Sequence, residues 1–344
     1  MPLLDRLPRR LRALPVTVAY RTETAVRDGL ARWATGRGWT TAVIPYSGYA
    51  GPHHARVLGR VVLAPASVDP GARRGVPGWR RLLTLERPRV EARVELDGVT
   101  TTVASDEAGI VDARLPLAGP VAPGTETAWL QVGDREPVGA RVHVAPAAPV
   151  RGVVCDIDDT VWVTGVAHPL RAAWRTLRGT STTRRSVPGM ARLLQAGVEG
   201  QPPVVVYLSN GPWNLVGPVS RFLERHGFPA GAVLMTDWGI TPRRWFRDGR
   251  EHKASSLARL AEDLPEVTWV LVGDDGEHDP DLYREFARSH PGRVAAIALR
   301  QILPHRPTDA ADAAVSPDGP PVLLGADGDV LLPLLREVLQ GHAR

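Results

Sequence analysis

The chain has 344 residues, 43% of them apolar and 23% charged, and a formal net charge of +5. That length exceeds one ordinary domain, so two domains are expected, with ample Val, Leu and Ala for a core and no composition typical of a fibre or a disordered chain. The single cysteine, Cys155, excludes an intramolecular disulfide; with no unbroken apolar run near the start and no segment long enough to cross a bilayer, a cytoplasmic chain is expected, peripheral at a membrane if it meets one.

The basic excess is mostly arginine. It suits an anionic partner: a phosphate ester, an acidic lipid or a nucleic acid. Arginine alongside abundant Ala, Gly and Pro equally reflects a GC-rich coding sequence, so charge alone decides little, and no nucleic-acid partner is expected.

In chain order, residues 1–39 are expected to form an N-terminal helical segment. Within 18–35, Val26, Leu30 and Trp33 make an apolar stripe at helical spacing. From 40 to 145 the pattern turns to strands. Val90, Ala92, Val94 and Leu96 alternate with charged residues as in a half-buried strand. Asp97-Gly98 then supplies the positive-φ positions of a tight hairpin, with Leu96 and Val99 flanking it. Further strands near 110–115, Trp129 and Val138–Val144 predict a mainly antiparallel β-sandwich. Residues 146–150 read as a linker.

Residues 151–344 switch to a β-α-β-α rhythm. Val153–Cys155, Val204–Leu208, Ala232–Met235, Trp269–Val272 and Val294–Leu299 are short, nearly continuous apolar runs. Helical stretches such as 253–264 and 280–290 separate them, and Val330–Leu339 reads as a closing helix. Such runs predict a Rossmann-like parallel sheet covered on both faces, with its site at the carboxyl ends of the strands.

Four groups at or near those ends suit phosphoryl transfer. The first strand runs into Asp156-Ile-Asp158-Asp159-Thr160. Asp156 is placed to attack phosphorus and Asp158 to act as acid and base, with Thr160 bonding the loop and holding Asp158. The second strand ends in Ser209-Asn210, whose hydroxyl and backbone N–H groups suit a phosphoryl oxygen ahead of Pro212 and a helix N-terminus. Lys253, opening a helix, can reach the phosphoryl group and offset the charge of Asp156. The strand Trp269–Val272 leads to Gly273-Asp274-Asp275-Gly276-Glu277-His278-Asp279, where Asp274 opposite Asp156 would complete a magnesium site. His278 reads as surface or second layer.

Each group alone has a plainer reading: an acidic capping turn, an N-cap serine, a solvated lysine, an Asx-turn loop. Their order supports the joint reading and excludes a receiver domain, whose acceptor aspartate sits on a middle strand. That order resembles the haloacid dehalogenase phosphatases. More narrowly, VVCDIDDTVWVTG, YLSNGPWNL, EHKASSLARL and LVGDDGEHDPDLYREFARSHPGRVAAIALRQI resemble the catalytic domain of the actin-patch phosphatidate phosphatase family. IPYSGYAGPHHARVLGRVVLA and ASDEAGIVDARL resemble that family's β-rich leader.

The resemblance implies Asp156 as nucleophile and Asp158 as acid/base. It implies magnesium held by Asp156, Asp274 and the backbone carbonyl of Asp158, with Ser209, Asn210 and Lys253 on the phosphoryl group. Asp279 would orient a metal-bound water. Two positions depart from the family pattern: Gly211 and Asp275 each stand where a serine is expected. The second leaves open whether Asp275 or Asp279 supports the metal.

Between Gly165 and Pro203 there is room only for a minimal cap. It carries Arg171, Arg175 and Arg178 at helical spacing beside Trp174, with Arg185 further on. That segment reads either as a basic, tryptophan-bearing membrane face or as a helix packed on the core with solvated arginines. Three functions remain open: a phosphatidate phosphatase, a phosphatase of a soluble phosphomonoester, and a non-catalytic adaptor. Protein partners and the role of the β-rich half are not legible.

Overall fold

The computed structural model describes residues 29–66, 84–163, 185–236, 242–276, 278–302 and 319–341, the side chains of 242–248 excepted. Two sheets dominate. The first contains β1 (Trp39–Ala50), β2 (His54–Pro65), β3 (Leu85–Glu86), β4 (Glu91–Leu96), β5 (Val99–Ala104), β6 (Ile110–Pro116), β7 (Gly124–Val132) and β8 (Val138–Val144). Its order is β3-β2-β1-β8-β7-β4-β5, with β6 paired to the long β2. β1 and β8 run parallel while the remaining pairs are antiparallel. Because β5 comes against β6, this mixed sheet curls back on itself, and its ladder is continuous.

The β4–β5 hairpin follows the sequence pattern closely. Ala92, Val94 and Leu96 are buried, Leu96 faces Val99, and Asp97 and Gly98 take φ of 49° and 74°. The N-terminal stripe does not. Residues 29–36 are helical, yet Leu30 and Trp33 are 47% and 51% exposed, with the Arg37 guanidinium 4.1 Å over the Trp33 ring. Val26 lies outside the described residues.

The second sheet holds β9 (Val150–Asp156), β10 (Val204–Pro212), β11 (Ala232–Thr236), β12 (Val267–Asp274), β13 (Val294–Arg300) and β14 (Val322–Gly325). Its order is β11-β10-β9-β12-β13-β14, parallel at every pair. The helices are α1 (Met190–Gly197), α2 (Val216–Arg225), α3 (Pro242–Asp263), α4 (Asp279–Ser289) and α5 (Gly328–Gly341). The apolar runs of β9, β10, β11, β12 and β13 are buried almost throughout, as strands covered on both faces require. β14, too short and mixed to stand out in the sequence, extends the edge.

The two sheets share one core. Tyr46, Tyr49, Leu58 and Ile110 pack into the cluster built by the parallel sheet and its helices, while a second cluster fills the concave side of the curled sheet. A partly buried ionic network crosses the same contact. Asp263 at the end of α3 accepts Tyr49 Oη at 2.9 Å and Arg114 Nη2 at 2.7 Å, and Arg259 Nε lies 3.4 Å away. Arg259 also reaches Asp112 at 3.0 Å. Asp112 accepts Arg56 through both carboxylate oxygens. Burial pushes the Asp112 carboxyl up, but the hydrogen bonds and charge of Arg56 outweigh it and hold the group below its usual range.

Candidate active site

β9 sits mid-sheet between β10 and β12, and this adjacency assembles the site. In register, Leu208 lies beside Asp156, so Ser209 is one residue past the strand level of Asp156. Val272 lies beside Cys155, which brings Asp274 up to the loop after β9. Asp156 and Asp274 are both buried.

Asp279, the first residue of α4, turns back beneath them. Atoms of Asp156, Asp274 and Asp279 lie within 4.8 Å of one another, near enough for each carboxylate to give one oxygen to a shared cation. Gly273 makes this possible, since a Cβ there would stand 2.5 Å from Asp279 Oδ2. Lys253 Nζ bridges the group, 2.7 Å from Asp156 Oδ1 and 2.6 Å from Asp279 Oδ1.

Lys253 is buried, so it is no solvated surface lysine, and it lies mid-helix because α3 begins at Pro242. Within this cluster carboxylates outnumber ammonium groups three to one. Burying such an excess is costly unless it is neutralised, and Asp279 Oδ2 is buried with no hydrogen-bond partner. An all-oxygen carboxylate set of this size suits a hard divalent cation.

Asp158 faces elsewhere. It is half-buried, accepting Ser209 Oγ on Oδ2 at 2.9 Å and Trp162 Nε1 on Oδ1 at 3.1 Å. Ser209 does not cap a helix; its hydroxyl also accepts the Gly211 N–H at 2.9 Å. A Cβ at Gly211 would stand 2.9 Å from the Met235 side chain and 3.1 Å from Ser209 Oγ, so glycine leaves the serine unobstructed. Asn210 approaches α3 at Gly249, where a Cβ would meet its amide at 3.1 Å.

The hydroxyl of Thr160 lies 3.4 Å from Asp274 Oδ2, so it faces Asp274 rather than holding Asp158. Asp275 points away from the cluster, its Oδ1 accepting the Ile302 N–H at 2.7 Å, whereas Asp279 stands within it. His278 is exposed. Arg171, Trp174, Arg175 and Arg178 lie outside the described residues; Arg185 is exposed and its carbonyl accepts the Val163 N–H.

The surroundings are electrostatically stiff. Burial, then the charges of Asp156 and Asp279, push the Cys155 thiol well up, which leaves it an inert neighbour of Asp156. His252, next to Lys253, is pushed down to about 4 by burial and by the charges of Arg56 and Lys253.

Residues 151–301 match the family of the phosphatidate phosphatase APP1 catalytic domain. Among curated relatives, an uncharacterised protein of Schizosaccharomyces pombe is 26% identical over 152 residues, 44% of this chain and 25% of that protein. Phosphatidate phosphatase APP1 of Saccharomyces cerevisiae is 25% identical over 150 residues, 43% of this chain and 25% of the yeast protein. The match thus spans a quarter of either relative. A carbohydrate acetylesterase from Xanthomonas citri aligns over 88% of this chain and 76% of its own at 14% identity, but its TM-score of 0.27 supports no argument.

The APP1-type stretch begins at β9 and ends after β13, so it contains Asp156, Asp158, Ser209, Lys253, Asp274 and Asp279. Two features of it escaped the sequence. The sequence leaves the membership of Asp279 in the carboxylate cluster open and gives Trp162 no distinct signal. The only available hint for Trp162 was its place four residues after Asp158.

Proposed function

We propose that the chain is a magnesium-dependent phosphomonoester hydrolase that works through an aspartyl phosphate, with phosphatidate as its substrate and diacylglycerol and phosphate as its products. We read residues 151–344 as a haloacid-dehalogenase-like domain with a minimal cap, and 40–145 as a sandwich-like β domain docked against it. The observation that carries the reading is the buried trio Asp156, Asp274 and Asp279 bridged by Lys253, with Asp158 held apart toward Ser209.

Asp156 and Asp274, with the Asp158 carbonyl, would hold the ion, and Asp279 stands close enough to join them or to orient its water. Bound there, magnesium would supply charge neutralisation at the phosphoryl oxygens. A carboxylate oxygen of Asp156 attacks phosphorus, and the bond to the leaving alcohol breaks. Asp158 gives that alkoxide its proton. Asp158 then takes a proton from water as the water attacks the aspartyl phosphate, whose bond to Asp156 breaks to release phosphate. Lys253 fixes the nucleophile and, with Ser209 and Asn210, binds the phosphoryl oxygens. The separate placement of Asp158 lets two carboxylates do different jobs, and its partial exposure leaves it open to a bulky leaving group.

The phosphatidate assignment rests on the family match and on the name of the yeast relative. No helix among the described residues is long and apolar enough to cross a membrane, and peripheral contact with a lipid surface through the basic cap is part of the proposal. Phosphate release from dispersed phosphatidate is expected with magnesium and not after chelation, and Asp156→Asn should abolish it. A clear preference for a soluble phosphomonoester would overturn the lipid assignment. Undiminished activity in Asp156→Asn would overturn the enzyme reading and favour an adaptor.

A further inference from the structure

We propose that Trp162 is the positioning residue for Asp158, aiming its carboxylate while Ser209 is engaged by the phosphoryl group. This rests on the assignment of Asp158 as acid and base. Asp158 is held at both oxygens, by Trp162 Nε1 at 3.1 Å and Ser209 Oγ at 2.9 Å. The two partners differ in kind. A hydroxyl can rotate its single hydrogen to another acceptor, whereas an indole N–H only donates and points wherever its ring points. When a phosphoryl oxygen draws the Ser209 hydrogen, Asp158 loses that contact at the moment its direction matters. The indole remains.

The ring is firmly held. Trp162 is 4% exposed, and its edge meets Phe222 of α2 at 5.1 Å and an interplanar angle of 78°. Its backbone bridges to Asp158 on one side and Ser186 on the other. The flanking amides are tied as well, Val161 N–H to Ile157 O, Val163 N–H to Arg185 O and Val187 N–H to Val161 O. Asp159, at φ 54°, makes the left-handed turn that returns the chain beneath Asp158, and Arg300 Nη1 donates to its carbonyl. A side chain locked by packing and backbone pairing is what fixes a catalytic group to the tolerance that chemistry needs.

A leaving-group comparison separates positioning from stability. An alkyl phosphate needs a proton on its leaving alkoxide, while a nitrophenyl phosphate does not. In kcat/KM, Trp162→Phe is expected to lower the alkyl-to-nitrophenyl ratio about tenfold, and Asp158→Asn about a hundredfold. Partial unfolding lowers both substrates alike and cancels in the ratio. A ratio unchanged in Trp162→Phe but lowered in Asp158→Asn overturns the role of Trp162. A ratio unchanged in Asp158→Asn overturns instead the acid role of Asp158 on which it rests. The contact has its own readout: the Trp162 Nε1–H proton resonance should move in Asp158→Ala, and an unmoved resonance removes the premise whatever the kinetics.

Discussion

The molecule holds two ionic clusters of opposite make-up, one rich in arginine and one rich in carboxylates. Where the sheets meet, Asp112 and Asp263 are surrounded by Arg56, Arg114 and Arg259, with Tyr49 donating as well. At the end of the parallel sheet, Asp156, Asp274 and Asp279 gather together, with Lys253 bridging Asp156 and Asp279. The first arrangement gives each carboxylate more than one cationic partner, leaves Arg56 Nη1 buried without a hydrogen-bond partner, and binds two layers together. The second sets three carboxylates close enough to share a cation. Ionic groups bind layers together in one place and form a candidate metal site in the other, and the side-chain type that predominates tells them apart.

The sharpest way to break that contrast is one substitution in each cluster. Asp263→Asn leaves arginines facing a neutral amide and should cost about 3 kcal/mol of unfolding free energy, equally with magnesium or with a chelator. Asp274→Asn relieves repulsion, so it should cost little in chelator. With magnesium the unaltered chain should gain about 2.7 kcal/mol at a hundredfold excess over the dissociation constant, and Asp274→Asn should lose most of that gain. Thermal unfolding under the two conditions decides it. A magnesium response that survives Asp274→Asn would remove the distinction.

A second effect sharpens the contrast through pH. His252 lies between the clusters, near Arg56 and Lys253, and its folded value of about 4 is below its ordinary 6.5. The native state favours the neutral ring, so this contribution is complete above the unfolded value and is lost as pH falls from about 6.5 to about 4, up to about 3 kcal/mol. His252→Gln should flatten the acid limb of stability over that window while leaving stability at pH 8 less affected. Denaturant midpoints along the pH series check it, and an unchanged slope in His252→Gln would assign the acid loss elsewhere.

The parallel sheet was legible because its signals are local. Apolar runs of about the right length end in Asp156, Ser209 and Asp274, and parallel pairing places such ends together. What decided between Asp275 and Asp279 is not local. It depends on where α4 starts and on the space left by Gly273, so two carboxylates four residues apart look alike in the sequence but diverge in the fold. The ionic contact between the sheets was hidden for a similar reason: Tyr49 and Asp263 are 214 residues apart, and Arg114 and Asp263 149. The alternation in 40–145 marks short strands, but it predicts a sandwich where the structure has one curled mixed sheet, because that outcome depends on pairings like β1 with β8, which alternation does not specify. The exposed Leu30 and Trp33 show the converse limit, a helical stripe whose two larger side chains stay exposed.

The smallest expected effect tests whether the curled sheet reaches the phosphate end of the site through apolar contact alone. Tyr46 of β1 stacks on Trp213 at 5.3 Å and 8°, and Trp213 directly follows Ser209-Asn210-Gly211-Pro212, where β10 departs from regular pairing. Tyr46→Leu keeps most of the buried apolar volume and forfeits the ring contact, about 1 kcal/mol of stability. Because that loop carries Ser209 but none of the three clustered carboxylates, the variant should raise KM about threefold with little change in kcat. Its magnesium-dependent rise in unfolding temperature should stay intact. A lost magnesium response in Tyr46→Leu would mean that the ionic cluster itself leans on the other sheet, and the separation of the two clusters would not hold.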